Sequence, residues 1–394
     1  MFKPKVMSIF AGGGGLDEGF KAAGFEIVCS IDIEEWACDT LRKNNPDSVV
    51  IGPPVYSGDV KAMSPKEVSE ITGLKPNELD LVMGGPPCQP FSQAASQRFL
   101  KSDEKFKRKG FDCEEKGTLL FDFIEYVLFF KPKNFLIENV PGLLTVDGGE
   151  QLNQALETLK NAGYSISEPK VIDAVNYGIP QFRQRLIVWG SSEVNSPSLP
   201  EPSHSSKADL ISQPHRVVAQ ALINLDKSAK NTETRAHKES SVERYKTLEF
   251  GQREKLGRVD RLNPLKPSKT VIAGGMNGGG RSHLHPYIAR TMSVRECARI
   301  QTFSDNYEFV GSIARQFTQV GNAVPPLLAE KIAYQILNKQ YGVSVPSSFK
   351  HEGNLDLKNP VELLSDKLFT QSTLENSEWI YNSHSSVTVE KKRA

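Results

Sequence analysis

The chain has 394 residues, 24% of them charged and 38% hydrophobic, and carries a formal net charge of +1. That length holds two domains, or one large domain with an insertion, while apolar runs too short to span a bilayer exclude a membrane role. The balanced charge excludes a globally basic nucleic-acid binder, so any such surface has to be local. Five cysteines, an odd count without a Cys-x-x-Cys pair, argue against a disulfide framework and a structural zinc site. The first residues lack the apolar core and cleavage site of a signal peptide, so reduced thiols and a cytoplasmic location are expected.

Val6 to Phe10 reads as a buried strand. It breaks into Ala11-Gly12-Gly13-Gly14-Gly15 before Leu16 to Ala23, which has helical spacing. A strand, a glycine turn and a helix let a nucleotide-like ligand approach backbone amides, a pattern that suits a dinucleotide enzyme equally well. About twenty residues beyond the glycines the strand Ile27 to Ile31 ends at Asp32, the place for an acid that accepts hydrogen bonds from a ribose.

The apolar run Leu79 to Met83 leads into Gly84-Gly85-Pro86-Pro87-Cys88-Gln89-Pro90-Phe91-Ser92. The prolines stiffen this stretch and the glycines permit close backbone approach, so Cys88 is expected on a rigid, accessible loop past a strand end. Such a thiol suits a nucleophile, although a lone cysteine is more often a small apolar side chain. Beyond it Arg98, Lys101, Lys105, Lys107, Arg108 and Lys109 face only Asp103 and Glu104, with Phe99 and Phe106 interleaved. That run is either a solvated loop or a phosphate-binding surface.

Gly117 to Leu128 predicts an apolar helix closed by Lys131-Pro132, and Asn134 to Ile137 a strand that delivers Glu138-Asn139-Val140. By itself Glu138 would be a cap or a loop salt bridge. Gly148 to Gly163 reads as another helix. Arg185 to Trp189 reads as a strand behind Gln181-Phe182-Arg183-Gln184, and its alternating arginines alone would be an ordinary polar face. From Ser191 to about Leu265 the texture turns to Pro, Ser, Lys and His. Between Ser203 and Arg261 twelve Lys or Arg stand against eight Asp or Glu, which fits a plain linker or a mildly basic DNA-facing insert. Leu327 to Leu337 is expected to form a helix that packs back on the first sheet. Past Tyr341 the chain is polar and interrupted by Pro346, Gly353 and Pro360; a helical scrap over Pro360 to Phe369 is the most it suggests.

The octapeptide around Cys88, then Glu138-Asn139-Val140, then Gln181-Phe182-Arg183-Gln184-Arg185 resemble, in this order, motifs of the DNA (cytosine-5)-methyltransferase family. Phe10-Ala11-Gly12 and the glycines after it resemble the family's first S-adenosylmethionine motif. Asp32-Ile33 looks like its ribose and adenine contacts, and Gly58-Asp59-Val60 like the motif whose acid receives the adenine amino group. Gln319 to Pro326 resembles the last motif, which returns to the cofactor pocket. The stretch before Pro267-Ser268-Lys269-Thr270-Val271 stands where the family has its variable target-recognition region. Leu284-His285-Pro286 and Ser293 to Gln301 with Phe303 are also family-like, and they are expected to form that region's inner wall and base.

The resemblance implies an α/β fold: a Rossmann-like S-adenosylmethionine-dependent methyltransferase sheet with an inserted smaller target-recognition domain. Residues 1–190, completed by 316–340, would be catalytic, 191–315 would recognise the target, and 341–394 would be a polar extension of unknown role. It implies transfer of a methyl group to carbon 5 of a flipped cytosine in a specific double-stranded DNA sequence, with Cys88, Glu138, Arg183 and Arg185 catalytic. Cofactor contacts would come from Phe10, Ala11, Gly12, Gly13, Gly15, Leu16, Asp32, Ile33, Asp59, Val60, Pro86, Asn322, Ala323 and Val324. DNA would be met by Gln89, Ser92, Lys105, Lys107, Arg108, Lys109 and Gln181. No metal or membrane is implied, the protein would be a monomer, and a restriction endonuclease would share its site without stable binding.

The chain departs from the family in having Asp32 where glutamate is more usual and Lys116 where arginine is common. Its stretch from Gln93 to Lys116 is longer than the family leads one to expect and reads as a lid. An RNA cytosine methyltransferase would use the same catalytic residues. A catalytically silent DNA-binding subunit would have lost Cys88 or Glu138, and a cysteine hydrolase would need a histidine partner, for which His283 and His285 are the only close pair.

Overall fold

Short apolar runs make one twisted sheet. The computed structural model describes residues 3–87, 119–207, 210, 212–225, 228–234, 236–256, 259–273, 283–360 and 363. Cys88, Gln89, Ser92, Lys105, Lys107, Arg108, Lys109 and the expected lid from Gln93 to Lys116 lie outside the described residues. Among those described, strands β1 (Lys5–Ile9), β2 (Glu26–Ile31), β3 (Val49–Ile51), β4 (Leu81–Gly84) and β5 (Asn134–Asn139) run parallel. Strands β6 (Ser165–Ile166) and β7 (Lys170–Asp173) both pair antiparallel with β8 (Gln184–Ser191), and β8 runs antiparallel to β5. The order across the sheet is β3-β2-β1-β4-β5-β8-β6, with β7 also on β8.

The helices are α1 (Gly15–Ala23), α2 (Glu35–Asn44), α3 (Pro65–Thr72), α4 (Leu119–Phe130), α5 (Glu150–Asn161), α6 (Val218–Leu222), α7 (Glu239–Lys246), α8 (Val294–Ile300), α9 (Ile313–Asn322) and α10 (Pro326–Tyr341). Because side chains alternate along a strand, each strand feeds two layers. Met7, Ile9, Val82, Phe135, Ile137, Leu186 and Val188 pack with Phe123 and Val127 of α4 and Leu152 of α5. Val6, Leu81, Met83, Leu136, Ile187 and Trp189 pack on the other face with Phe20 of α1 and Leu328 and Ile332 of α10. A parallel sheet needs both faces covered, and the helix expected over Leu327 to Leu337 supplies part of the second cover.

Among the described residues between β8 and α8, besides α6 and α7, the strands are short: β9 (His204–Ser205), β10 (Gln213–Pro214), β11 (Arg253–Glu254), β12 (Val259–Arg261) and β13 (His283–Leu284). Its core joins Val217 to Ile223, Val294, Cys297, Phe303 and Phe309 to Phe317 and Val320 of α9. The boundary expected at residue 315 therefore falls inside a helix, and α9 contributes to the core of the inserted region. Helix α8 is buried along its whole length although it carries Arg295, Glu296 and Arg299. Its start is fixed by a reciprocal cap in which Ser293 Oγ accepts from the Glu296 amide at 3.2 Å and the Ser293 amide donates to Glu296 Oε2 at 2.7 Å.

The first part of the polar extension after Tyr341 is packed on the fold. Tyr341 Oη donates to Asp80 Oδ1 at 2.7 Å. The buried carboxylate of Glu330 on α10 is satisfied by the amides of Lys350 and His351 at 2.9 and 3.0 Å, so a polar segment is what that acid requires. The Asp356 amide donates to Gln220 O at 2.8 Å, and Leu355 is buried against the α8 core. None of the described helices is long and apolar enough to cross a membrane. Leu355→Ala should lower stability by about 2–5 kcal/mol in urea unfolding. A change within about 0.5 kcal/mol, as for a solvated tail, would contradict this packing.

Candidate active site

Asp32 and Glu138 stand at the carboxyl ends of β2 and β5, beside the turn that follows β1. After β1 the chain turns sharply: Phe10 takes a φ of 57°, the Gly12 amide donates to Asp32 Oδ2 at 2.7 Å, and the Gly14 amide donates to Ala11 O at 3.0 Å. Asp32 Oδ1 accepts from the Glu34 amide at 2.9 Å. Burial pushes the Asp32 carboxyl up to about 6, against the pull of these backbone donors. Ile33 beside it stands 56% exposed, an apolar shelf next to an acid. A methyl group on Gly58 would overlap the Asp32 carbonyl oxygen, so the loop that carries Asp59 lies directly against this strand end.

On the far side of the turn the chain returns at Asn322, Ala323 and Val324. A Cβ on Gly15 would meet the Val324 carbonyl, which places this return against the start of α1. Thus Gly12, Asp32, Ile33, Asp59 and the 322–324 segment surround one turn. Leu16 and Val60 are largely buried, each packed in the core on one face of the sheet. A side-chain-free turn, a carboxyl that accepts hydroxyls and an exposed isoleucine fit an adenosine-containing ligand.

The second half of the site is an ion pair. In the β5–β8 register Glu138 stands opposite Ile187, so Arg185, two residues before Ile187, is its diagonal neighbour on the same face. Glu138 Oε1 and Arg185 Nε are 2.7 Å apart, with both side chains 12% exposed. Burial pushes the Glu138 carboxyl above its ordinary range, while Arg185 and then Arg183 pull it back. A Cβ on Gly85 would come within 2.7 Å of Glu138 Oε2, so the backbone three residues before Cys88 passes directly over the carboxylate. The same stretch is pinned by Asn139, whose side-chain amide donates to Pro86 O at 2.9 Å. Asn139 belongs to the Glu-Asn-Val motif, but the sequence offers no sign of this role.

Two expected site residues lie buried against the inserted region. Arg183 is 1% exposed and donates to Val271 O at 3.2 Å, Gly321 O at 2.8 Å and Asn322 O at 3.1 Å. It struts the return segment and makes no ion pair with Glu138, although its charge pulls on that carboxyl less strongly than Arg185 does. Gln181, expected on DNA, is fully buried, and its carbonyl accepts from the Val271 amide at 2.8 Å. Both residues precede β8, in a stretch that bridges to Ser268 of the inserted region, and their side chains are buried against that region. His283 and His285 are likewise buried, pushed down to about 4 and about 3 by desolvation, and His285 Nδ1 accepts from the Tyr287 and Ile288 amides at 3.1 Å. Desolvation keeps both neutral, His285 as an acceptor and His283 as a donor from Nε2 to Lys269 O at 3.1 Å. Among the described residues no group of three or more His, Cys, Asp or Glu could hold a metal ion.

Arg185→Met removes the charge that holds the Glu138 carboxyl down, so its titration should move further upward, and the loss of one partner of a buried pair should cost about 3–5 kcal/mol. Infrared titration of the carboxyl band checks this; an unshifted midpoint would show that Arg185 does not govern Glu138.

The sequence profile of C-5 cytosine-specific DNA methylases matches residues 4–338. The chain is 34% identical over 351 residues to the type II methyltransferase M.NgoFVII of Neisseria gonorrhoeae, covering 85% of this chain and 87% of that one. It is 32% identical over 342 residues to the type II methyltransferase M1.HphI of Haemophilus parahaemolyticus, covering 84% and 86%. In fold it resembles a prophage-encoded E. coli protein assigned as a DNA modification methyltransferase, with a TM-score of 0.68 at 24% identity over 85% of this chain and 99% of that one. It also resembles the Dnmt2 methyltransferase of S. pombe, with a TM-score of 0.58 at 15% identity over 86% and 100%. The sheet, the glycine turn and the Glu138–Arg185 pair are thus those of a chain that belongs to the C-5 cytosine-specific DNA methylase family, a DNA cytosine-5 methyltransferase dependent on S-adenosyl-L-methionine.

Proposed function

We propose that Cys88 is the nucleophile, that Glu138 is its acidic partner held by Arg185, and that the substrate is a cytosine flipped out of a specific double-stranded sequence. The observation that carries this reading is the Glu138–Arg185 pair lying directly beneath Gly85, at the entrance to the Cys88 loop. Carbon 5 of cytosine is too poor a nucleophile to take a methyl group unaided. Addition of the Cys88 thiolate at carbon 6 pushes electron density toward carbon 5 and ring nitrogen 3. Glu138, whose carboxyl burial biases toward the protonated form, donates to nitrogen 3 and neutralises that charge as it forms. Arg185 fixes the carboxyl's orientation and faces the same crevice. S-adenosyl-L-methionine supplies the methyl group. The donor leaves as S-adenosylhomocysteine, a base takes the carbon 5 proton as Cys88 departs as thiolate, and nitrogen 3 returns its proton to Glu138, leaving 5-methylcytosine.

The donor's adenosine would lie over the Gly12–Gly15 turn, with Asp32 on the ribose, Ile33 against the adenine, Asp59 on its amino group and Asn322 to Val324 closing the far side. Gln89, Ser92 and the bases Lys105, Lys107, Arg108 and Lys109 would hold the phosphates and the flipped nucleotide, a few kcal/mol of unstacking being the cost. The inserted region would read the sequence. Similarity to chains named type II methyltransferases supports a modification role beside an endonuclease of the same specificity.

Cys88→Ala should abolish methyl transfer while donor binding persists, and duplex DNA carrying 5-fluorocytosine should trap an adduct at Cys88, since the fluorine blocks elimination. Peptide mass spectrometry that located the adduct at another cysteine, or transfer by the variant near the wild-type rate, would remove Cys88 from the mechanism. Donor affinity should also depend on pH. Asp32 accepts ribose hydroxyls as a carboxylate, and its folded value of about 6 lies above the ordinary carboxyl range, so affinity should rise as pH increases through about 6 and level off above it. Calorimetric titration from pH 5 to 8 should show this rise in the wild type and a flat profile in Asp32→Asn. A rise that survives the substitution would assign the titration to another group.

A further inference from the structure

Four consecutive glycines between Ala11 and Leu16 have no side chains to hold them, and a free turn of this kind samples many backbone states. One peptide plane in it is nevertheless fixed at both ends. The amide of the Gly13–Gly14 peptide donates to Ala11 O at 3.0 Å, and its carbonyl, Gly13 O, accepts from Tyr307 Oη at 2.9 Å. Tyr307 is 3% exposed and comes from the far side of the chain, 294 positions away. The fit beneath the turn is tight, for a Cβ on Gly14, which has a φ of 72°, would lie 2.3 Å from the tyrosine oxygen.

The tyrosine is itself held from two directions. Toward α2, which follows Asp32, Asn44 Oδ1 accepts from the Glu308 amide at 3.0 Å, Asn44 Nδ2 donates to Glu308 O at 2.8 Å, and Thr40 Oγ1 accepts from the Val310 amide at 2.8 Å. Toward the inserted region, Arg295 donates to Ser304 O at 2.7 Å and also to Tyr307 O, and Asn231 exchanges two hydrogen bonds of 2.9 Å with the Phe309 backbone. The rings of Phe303 and Phe309 each lie 5.1 Å from that of Tyr307.

We propose that Tyr307 is a positioning residue for the methyl donor: its hydroxyl locks the Gly13–Gly14 peptide so that the turn is shaped before the adenosine arrives. This rests on the reading of the Gly12–Gly15 turn as the donor site. Without the hydroxyl the peptide is free to rotate, and part of the binding free energy goes into ordering the turn. Because Arg295 and Asn231 set the tyrosine's backbone, the inserted region also helps to determine the shape of the donor pocket.

The test is calorimetric titration of the full-length protein with S-adenosylhomocysteine, comparing wild type, Tyr307→Phe and Asp32→Asn, with the thermal midpoint of each measured alongside. Tyr307→Phe keeps the ring and deletes the hydrogen bond, and the expected result is a Kd weaker by about three- to tenfold at full binding stoichiometry. In turnover, KM for the donor should rise more than kcat falls. An unchanged Kd in Tyr307→Phe, with binding lost in Asp32→Asn, overturns the role of Tyr307 while the donor site stands. Binding unchanged in both variants overturns the donor-site reading and this inference with it. A reduced stoichiometry at unchanged Kd makes Tyr307 merely structural and also overturns it. Should Tyr307→Phe not fold, Thr40→Val, which takes the acceptor from the Val310 amide, is titrated in its place with a weaker Kd as the expected result and an unchanged one as the refutation.

Discussion

The ion pair between Glu138 and Arg185 exists because β8 runs antiparallel to β5. A parallel neighbour would need a crossover and would bring a different register, whereas this pairing sets the arginine diagonally beside the acid near the carboxyl end of β5. The acid is desolvated enough to be pushed toward its protonated form, and the arginine restrains that shift. Neither effect alone serves the chemistry. An unpaired buried carboxyl would lose its orientation, and a fully ionised one could not give a proton to a ring nitrogen. Gly85 completes the arrangement, since a Cβ there would lie 2.7 Å from Glu138 Oε2 and displace the carboxylate from its place beside Arg185.

Around that pair the protein spends its buried cations on backbone carbonyls. Arg183 joins Val271, Gly321 and Asn322; Arg299 donates to Asn224 O at 3.0 Å and to Ile223 O at 2.6 Å; Arg295 holds the 304–307 segment. A guanidinium carries several donors in a fixed fork, so one side chain can fasten carbonyls from different segments where regular strands are lacking. This explains how the inserted region keeps its shape when its described strands have only two or three residues, and how α8 can be polar in composition and buried in position. The donor turn and the inserted region are consequently joined through shared residues.

Apolar runs ending at Phe10, Ile31, Met83 and Ile137 made four of the five parallel strands and the crevice at their ends legible from the sequence, and the strand-like run Arg185 to Trp189 identified β8. Asp32 and Glu138 were placed correctly at strand ends because their positions follow from local pattern. Arg183 and Gln181 lie on the same strand approach, yet what they touch lies 88 to 139 positions further on, which no local periodicity records. The hydroxyl bond of Tyr307 and the packed residues after Tyr341 were invisible for the same reason: a tyrosine among phenylalanines reads as core, and a polar segment reads as tail until Glu330 is seen to need its amides. Cys88 was singled out by its prolines and its motif, and it remains a sequence assignment.

The claim that Glu138 acts on the ring and does not merely brace the loop is tested most directly by single-turnover methyl transfer in Glu138→Gln, with duplex affinity measured on the same preparation. The glutamine keeps the shape of the side chain and can still hydrogen-bond, but it has no proton to give. The account predicts a rate of chemistry lower by about 10²–10⁴-fold with duplex affinity changed by less than about tenfold. Parallel losses in rate and affinity, or a rate near that of the wild type, would contradict it.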